Sequence, residues 1–337
     1  MKKITFAVPS YNSAPFLHYA LDSLIPAGDQ IEVLVIDDGS RDATLDVAKD
    51  YERRYPDIFR AVHEENGGHG EAINTALKLA TGRYFKVLDS DDWVSKEALE
   101  KLLSFLDAHP DEADLILMDY QYWRGHEEKT TRIRFGRYLK EETVTTFDHF
   151  SHLRVQDNLT LHSTLYKTEV LRQAGLNLPK HMSYEDNLMV YTPLPFVHSL
   201  VYLPYDLYQY QIGRAGQSME RETLLRKWKD YVILGKKIFA LYDIMPYRKT
   251  NKGLYRVMKH HLVMNCMFVP LFCQLKDTDE SRAALKDFYA FCKEQNPKQY
   301  KMIRKDIKVS ALSLPGKSGT SWVRFWYWLA HKVVKFN

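Results

Sequence analysis

Residues Tyr84 to Val94 read YFKVLDSDDWV, an apolar run that stops abruptly at three carboxylates. Tyr84, Phe85, Val87 and Leu88 suit a central strand buried on both faces. Asp89, Asp91 and Asp92 follow, with only Ser90 between the first two. Carboxylates packed this closely repel, and each raises its neighbour's pKa unless a cation neutralises them. Asp-x-Asp at a strand end also suits a hard divalent metal, which takes oxygen ligands and keeps positions open for phosphate. The plain alternative is an acidic turn capping a helix that starts near Ser95. The rest of the chain has to decide.

Upstream, strand-like runs alternate with helical spacing. Lys3–Val8 closes on Pro9-Ser10-Tyr11-Asn12, and Ile31–Ile36 stops at Asp37-Asp38-Gly39-Ser40. Phe59–His63 ends at Glu64-Glu65-Asn66-Gly67-Gly68. Helices are expected over Ala14–Leu24, Asp42–Tyr55 and Gly70–Ala80, each between two strands. This alternation predicts βαβ units and a mostly parallel, Rossmann-like α/β sheet. Ligands bind such sheets beyond the carboxyl ends of the strands. The loops at Pro9–Asn12, Asp37–Ser40, Asn66–Gly70 and Asp89–Asp92 therefore share one edge. Farther on, Leu99–Leu106 reads as a helix, Asp114–Tyr122 as a strand and Arg124–Glu142 as a polar hairpin or excursion. Leu159–Tyr166 reads as a strand containing His162, Leu188–Val197 as a short helix and Leu200–Tyr210 as a strand. Gln211–Ser218 is a loop. From Glu220 helices dominate, over Glu220–Tyr242, Lys252–Leu275 and Asp279–Glu294. A boundary near Met219 gives two domains, 1–218 and 219–337.

The 337 residues allow such a division, and 45% hydrophobic with 27% charged residues is an ordinary globular composition. Cys266, Cys273 and Cys292 lack metal-ligand spacing and read as reduced core residues. The N-terminus has too short an apolar part for a signal peptide, and no run approaches the ~20 apolar residues that span a bilayer. The expected location is cytoplasmic. The net charge of +4 conceals an asymmetry. Lys293–Asn337 carries ten basic and two acidic residues, leaving 37 basic and 41 acidic before it. A basic tail on a mildly acidic body points to a polyanionic partner.

Two acid clusters at strand ends admit a phosphate-accepting regulatory domain, which also gathers aspartates at a sheet edge. That class needs a lysine at a later strand end and a shorter chain. The other reading is a nucleotide-sugar site. Here VPSYN, VIDDGSRDAT, ENGGHGEAINTAL, ATGRYFKVLDSDDWV and SYEDN resemble, in order and spacing, the family 2 glycosyltransferases. The likeness covers residues 3 to 218.

The resemblance implies a GT-A fold with a helical C-terminal extension, and inverting transfer from a UDP-sugar. It places Pro9 and Tyr11 at the wall of a uracil pocket and Asp38 on the uracil N–H. Asn12, Asn66, Gly67, His69 and Ser90 join the nucleotide-sugar contacts. Asp89 holds ribose or the metal's water shell, and Asp91, with Asp89, holds Mn²⁺ or Mg²⁺ on the diphosphate. Asp186 is the general base, and Glu185 orients it or binds acceptor. Gln211, Arg214 and Ser218 resemble the loop that closes over the diphosphate. His162 and Tyr184 fall on the acceptor side. The resemblance breaks at Ile73, where relatives often carry an arginine; His69 is the residue placed to compensate.

At 100° per residue, Arg324, His331, Lys332 and Lys335 form one stripe on Trp322–Phe336, with aromatic and apolar residues over most of the remainder. That pattern predicts a helix lying in an anionic membrane interface; packing on the body is the alternative. Nucleic acid is not expected, because no motif supports it. The expected activity is transfer of a sugar to a lipid-linked or cell-surface polysaccharide precursor by a peripheral enzyme of the inner membrane face. A nucleotidyltransferase and a non-catalytic nucleotide-binding partner subunit are the competing readings. The acceptor and the oligomeric state are not legible.

Overall fold

The structure is a computed structural model that describes residues 2–109, 113–125, 128–150, 153–154, 157–213, 221–313 and 321–324. It divides into two compact units, residues 1–150 with 156–212, and residues 151–155 with 213–337. The boundary expected near Met219 falls outside the described residues.

In the first unit the order is β1 (Ile4–Ser10), α1 (Leu17–Leu24), β2 (Ile31–Asp38), α2 (Thr44–Arg54), β3 (Phe59–Glu64), α3 (His69–Leu79), β4 (Tyr84–Val87), β5 (Trp93–Val94) and α4 (Lys96–Ala108). There follow β6 (Leu115–Arg124), β7 (Glu128–Ile133), β8 (Thr164–Lys167), α5 (Thr168–Gln173), α6 (Asp186–Tyr191) and β9 (Leu200–Ile212). The sheet runs β3-β2-β1-β4-β8-β6-β9-β5, with β7 beside β6. Its β3-β2-β1-β4 half is parallel, as the βαβ alternation predicts. Every residue of β1 is buried, Thr5 and Ser10 included, as suits a parallel strand covered on both faces. Gly82 lets the chain enter β4 tightly, because a Cβ there would meet the Thr5 nitrogen at 2.3 Å.

Beyond β4 the sheet becomes mixed. β8 is antiparallel to β4 and β6, whereas β6 and β9 are parallel. The strand expected from Leu159 starts only at Thr164, because residues 161–163 form a turn. His162 therefore sits before the strand. Strands β6 and β9 keep register from Leu115↔Leu200 to Met118↔Leu203, then resume at Asp119↔Asp206 and Tyr120↔Tyr208. Three extra residues on β9 make a bulge, a local device that re-aims side chains. Buried Asp119 braces it, accepting from the Tyr202 hydroxyl at 2.9 Å, the Phe135 N–H at 3.1 Å and Arg132 at 3.1 Å. Arg132 also pairs with Asp206 inside the bulge.

The second unit is helical: α7 (Arg221–Arg226), α8 (Trp228–Leu241), α9 (Tyr247–Thr250), α10 (Lys252–Lys276), α11 (Asp279–Gln295), α12 (Pro297–Lys305) and α13 (Ile307–Ala311). Leu234 and Ile238 of α8, Val257 and Leu262 of α10 and Phe288 of α11 are buried in it. Thr278 and Ser281 form a capping box at the start of α11. Cys266, Cys273 and Cys292 are buried free thiols. The basic aromatic helix expected at Trp322–Phe336 lies, from residue 325 onward, outside the described residues.

Candidate active site

The loops at the carboxyl ends of β1, β2 and β3 are tied together by side chains that bond backbone. Asn12, with φ +51°, accepts from the Arg41 N–H at 2.9 Å, and its own N–H donates to the Ser40 hydroxyl at 3.0 Å. The Asp38 carboxylate accepts from the Gly67 N–H at 2.6 Å, the Gly68 N–H at 2.9 Å and the Asn66 amide at 3.0 Å. Gly68 has φ +86°, a conformation costly for any residue with a Cβ. Asp38, Asn66 and Gly67 thus form one self-bonded unit. Pro9 is buried at the end of β1, while the Tyr11 ring stands out with 48% exposure. Ile73 is wholly buried on α3, a core residue rather than a site residue.

The acidic loop comes next. The Ser90 hydroxyl lies 2.7 Å from that of Ser13, which pins the loop to the end of β1. Asp92 accepts from the Tyr208 hydroxyl at 2.7 Å and the Gln211 N–H at 2.8 Å, and the Asp89 N–H donates to the same tyrosine oxygen at 3.1 Å. Gln211, expected at the diphosphate, is thus used through its backbone to hold Asp92. Burial, with the charges of Asp91 and Asp89, raises the Asp92 carboxyl well above the ordinary range.

His69, at the first position of α3, bridges two motifs. Its Nε2 lies 3.0 Å from Asp89 Oδ1 and its Nδ1 lies 2.7 Å from Glu185 Oε1. Burial opposes charging of the ring, but these two carboxylates hold its pKa well above the usual value. Asp186 follows Glu185 and opens α6. Burial and then the Glu185 charge push its carboxyl up to about 7, with Asp89 adding to the rise and His69 opposing it. Tyr184, half-buried, has φ +66°, strain of about 1–3 kcal/mol for a non-glycine residue. Its carbonyl accepts from the Asn187 amide at 3.0 Å. Such strain is concentrated at functional sites.

On the far side of the acidic loop, the His162 ring stacks on Tyr210 at 4.4 Å and meets Tyr208 edge-on at 4.6 Å. Burial, followed by the repulsion of Lys86 set against the pull of Asp89, takes its pKa down to about 4. One ligand atom each of Asp89, Asp92 and His162 lie within 4.8 Å of one another. Among the described residues this is the group that could hold a metal ion, and Asp91, expected as a ligand, is not in it. Burial contributes most to the raised Asp92 carboxyl, and a cation would offset the further rise that the Asp91 and Asp89 charges add. Two carboxylates and an imidazole make an O/N donor set suited to a divalent ion such as Mn²⁺. The residues fit such an ion.

Sequence reasoning missed Asp92, Tyr208 and Lys86 as parts of the site. A lysine inside an apolar strand was the visible signal for the last; nothing local marks Tyr208, which the sheet brings in from residue 208 to meet residue 92. Arg214 and Ser218 lie outside the described residues. The remaining expected residues, from Asn12 to Asp186, lie at one edge of the first unit.

Comparison with known proteins agrees with this geometry. The sequence profile described as Glycosyl transferase family 2 matches residues 5–167. An uncharacterized glycosyltransferase of Mycoplasma genitalium is 30% identical over 284 residues, 80% of this chain and 90% of that one. TarS of Staphylococcus aureus, a poly(ribitol-phosphate) beta-N-acetylglucosaminyltransferase, is 29% identical over 224 residues. That alignment covers 65% of this chain and 37% of TarS, so the chain spans much less than the length of that relative. A crystal structure of a TarS fragment superimposes with a TM-score of 0.68 at 20% identity, covering 97% of this chain and 92% of the other, which shows the GT-A fold. The chain belongs to family 2 of the glycosyltransferases.

Proposed function

We propose that the chain transfers a sugar with inversion from a nucleotide-sugar, UDP-linked, to a hydroxyl of a lipid-linked or cell-surface polysaccharide precursor. The observation that carries this reading is the His69 imidazole, which bonds Asp89 and Glu185 together beside Asp186. One hydrogen-bonded cluster thereby joins the acidic loop to a carboxyl whose pKa of about 7 suits a general base. Asp186 accepts the proton of the acceptor hydroxyl as that oxygen bonds to the anomeric carbon. The bond from that carbon to the diphosphate oxygen breaks on the opposite face, and the nucleoside diphosphate departs. Glu185, fixed by His69, positions Asp186 and the acceptor. Asp89, Asp92 and His162 would hold Mn²⁺ or Mg²⁺, and the ion would supply a Lewis acid that stabilises the leaving diphosphate.

Supporting the donor class, a TarS fragment has been crystallised with UDP-GlcNAc; it is 20% identical, with a TM-score of 0.59. Supporting the acceptor class, the relatives include the poly(ribitol-phosphate) transferase. No helix among the described residues is long and apolar enough to cross a membrane. The basic, aromatic sequence of residues 322–336 supports attachment to the anionic inner face of the plasma membrane. The two domains proposed are a transferase domain over residues 1–218 and a helical region over 219–337.

A thermal-shift titration of UDP, GDP, CDP and dTDP, each with Mn²⁺ or with chelator, tests the donor reading. A ligand that binds only the folded chain raises its melting temperature by mass action. Stabilisation by UDP that needs Mn²⁺ is expected; stabilisation by another nucleotide alone would move the donor class, and by none would favour a non-catalytic chain.

A further inference from the structure

Lys86 is wholly buried in β4, between Phe85 and Val87. Lysine is almost never fully buried unless its charge is partnered. The partners here are not carboxylates. The Nζ donates to the carbonyls of Leu161 at 2.6 Å, His162 at 2.7 Å and Thr164 at 3.0 Å. All three donors of the ammonium are satisfied by the turn at 161–163 and the first residue of β8.

On its β6 side this turn is held by backbone, through Leu117↔Thr164 and the Met118 N–H bonded to the Ser163 carbonyl at 2.8 Å; on its β4 side it is not. Strands β4 and β8 pair only at Tyr84↔Lys167 and Phe85↔Tyr166. That ladder stops one residue before Lys86. Beyond its end, the link from β4 to this segment is the ammonium, bonded to the three carbonyls. It also lies 5.2 Å from the centre of the Tyr208 ring. Tyr208 in turn holds both Asp92 and the Asp89 N–H through its hydroxyl. One side chain therefore supports the turn carrying His162 and the ring supporting the two acids.

We propose that Lys86 is a positioning residue for the cation site, setting His162 against Asp89 and Asp92 through the three carbonyls it gathers. The inference rests on the reading of Asp89, Asp92 and His162 as the cation site. It assigns Lys86 no contact with the ion, the donor or the acceptor. Groups that orient metal ligands typically change metal affinity by about 10–100-fold when removed. A lysine that merely filled the core would change stability and leave metal affinity where it was.

The test measures Mn²⁺ affinity of the full chain in the presence of UDP, by electron paramagnetic resonance of free Mn²⁺. It compares wild type, Lys86→Met, His162→Ala and the double variant, with unfolding midpoints recorded for each. Lys86→Met is expected to weaken Mn²⁺ binding by about 10-fold or more. In the His162→Ala background the same change should add little, because the two act through one path. Lys86→Gln retains two N–H donors without the charge; it is the milder variant if Lys86→Met does not fold, and a smaller loss in the same direction is expected. Wild-type chain that binds no Mn²⁺, or a His162→Ala that binds it normally, would overturn the cation-site reading and this inference with it. Normal affinity in a folded Lys86 variant, or a loss that adds in full to that of His162→Ala, would overturn this inference alone and leave the site standing.

Discussion

Asp38 and Asp119 are both buried carboxylates of the same sheet, and they are satisfied in opposite ways. Asp38, at the end of β2, is held by residues 66–68, two backbone N–H groups and the asparagine amide of one loop. Asp119, within β6, is held by the Tyr202 and Arg132 side chains and the Phe135 N–H, drawn from β9 and from the stretch at the end of β7. The β1–β4 side of the site is thus built from loops that follow strands in sequence and bond one another's backbone. The β6–β9 side is built from side chains that meet only after distant strands have paired. The first arrangement tolerates changes in packing but not in loop conformation; the second depends on every partner.

Four substitutions test that contrast. The largest effect is expected where the two sides meet: Asp186→Asn should lower transfer about 10²–10⁴-fold while UDP with Mn²⁺ still raises the melting temperature. Equal loss of binding and transfer would remove Asp186 from the base role. The pH profile sharpens this. Transfer by wild type should rise with pH to a break near 7, where the Asp186 carboxyl ionises. Its raised pKa means the folded chain keeps a proton that the unfolded chain releases above 3.8. That stabilising contribution is complete below about pH 4 and is lost as pH rises through about 7. Asp186→Asn should flatten this slope in denaturant titrations.

On the β6–β9 side, Arg132→Met leaves Asp119 and Asp206 without their shared cation. A loss of about 1–3 kcal/mol, the cost of leaving the buried Asp119 carboxylate short of its charged donor, is expected in urea unfolding; a loss under about 1 kcal/mol would place this network with surface ion pairs. On the β1–β4 side, Asp38→Asn presents an amide N–H₂ to N–H groups. It should lose about 1–3 kcal/mol and weaken UDP binding, since the Asn66–Gly68 loop is no longer held. Unchanged UDP affinity would separate that loop from the donor site. The smallest effect is expected outside both sides. Ser95 caps α4 by accepting from the Ala98 N–H, and Ser95→Ala should lose about 1 kcal/mol without altering UDP binding.

The same contrast explains what the sequence makes legible. The parallel half of the sheet and the loops around Asn12, Asp38, Asn66 and Asp89 follow from strand–loop–helix alternation, which is local. His69 and Glu185, 116 residues apart, were both visible as motif residues, but their hydrogen bond was not. Asp92 read as one more acid of the loop because its role depends on Tyr208 and Gln211, whose positions are set by the β9 bulge. The strand expected from Leu159 is an apolar run without a ladder: Leu159 is buried in irregular chain and Leu161 in the turn that Lys86 bonds. The antiparallel placement of β8 likewise has no local signature.

The bulge in β9 also fixes where this chain can change length. Pro204, Tyr205 and Asp206 are half-exposed, which for a surface segment would suggest freedom to gain or lose a residue. Side chains alternate along a strand, so one residue more or fewer there would turn Tyr208 and Tyr210 to the opposite face and bring Gln209 and Gln211 round in their place. The Tyr208 hydroxyl that holds the acidic loop and the Tyr210 ring that stacks on His162 would leave together. For loop grafting or library design, this half-exposed stretch must therefore be treated as a measured spacer whose residue count is as restricted as any side chain it positions.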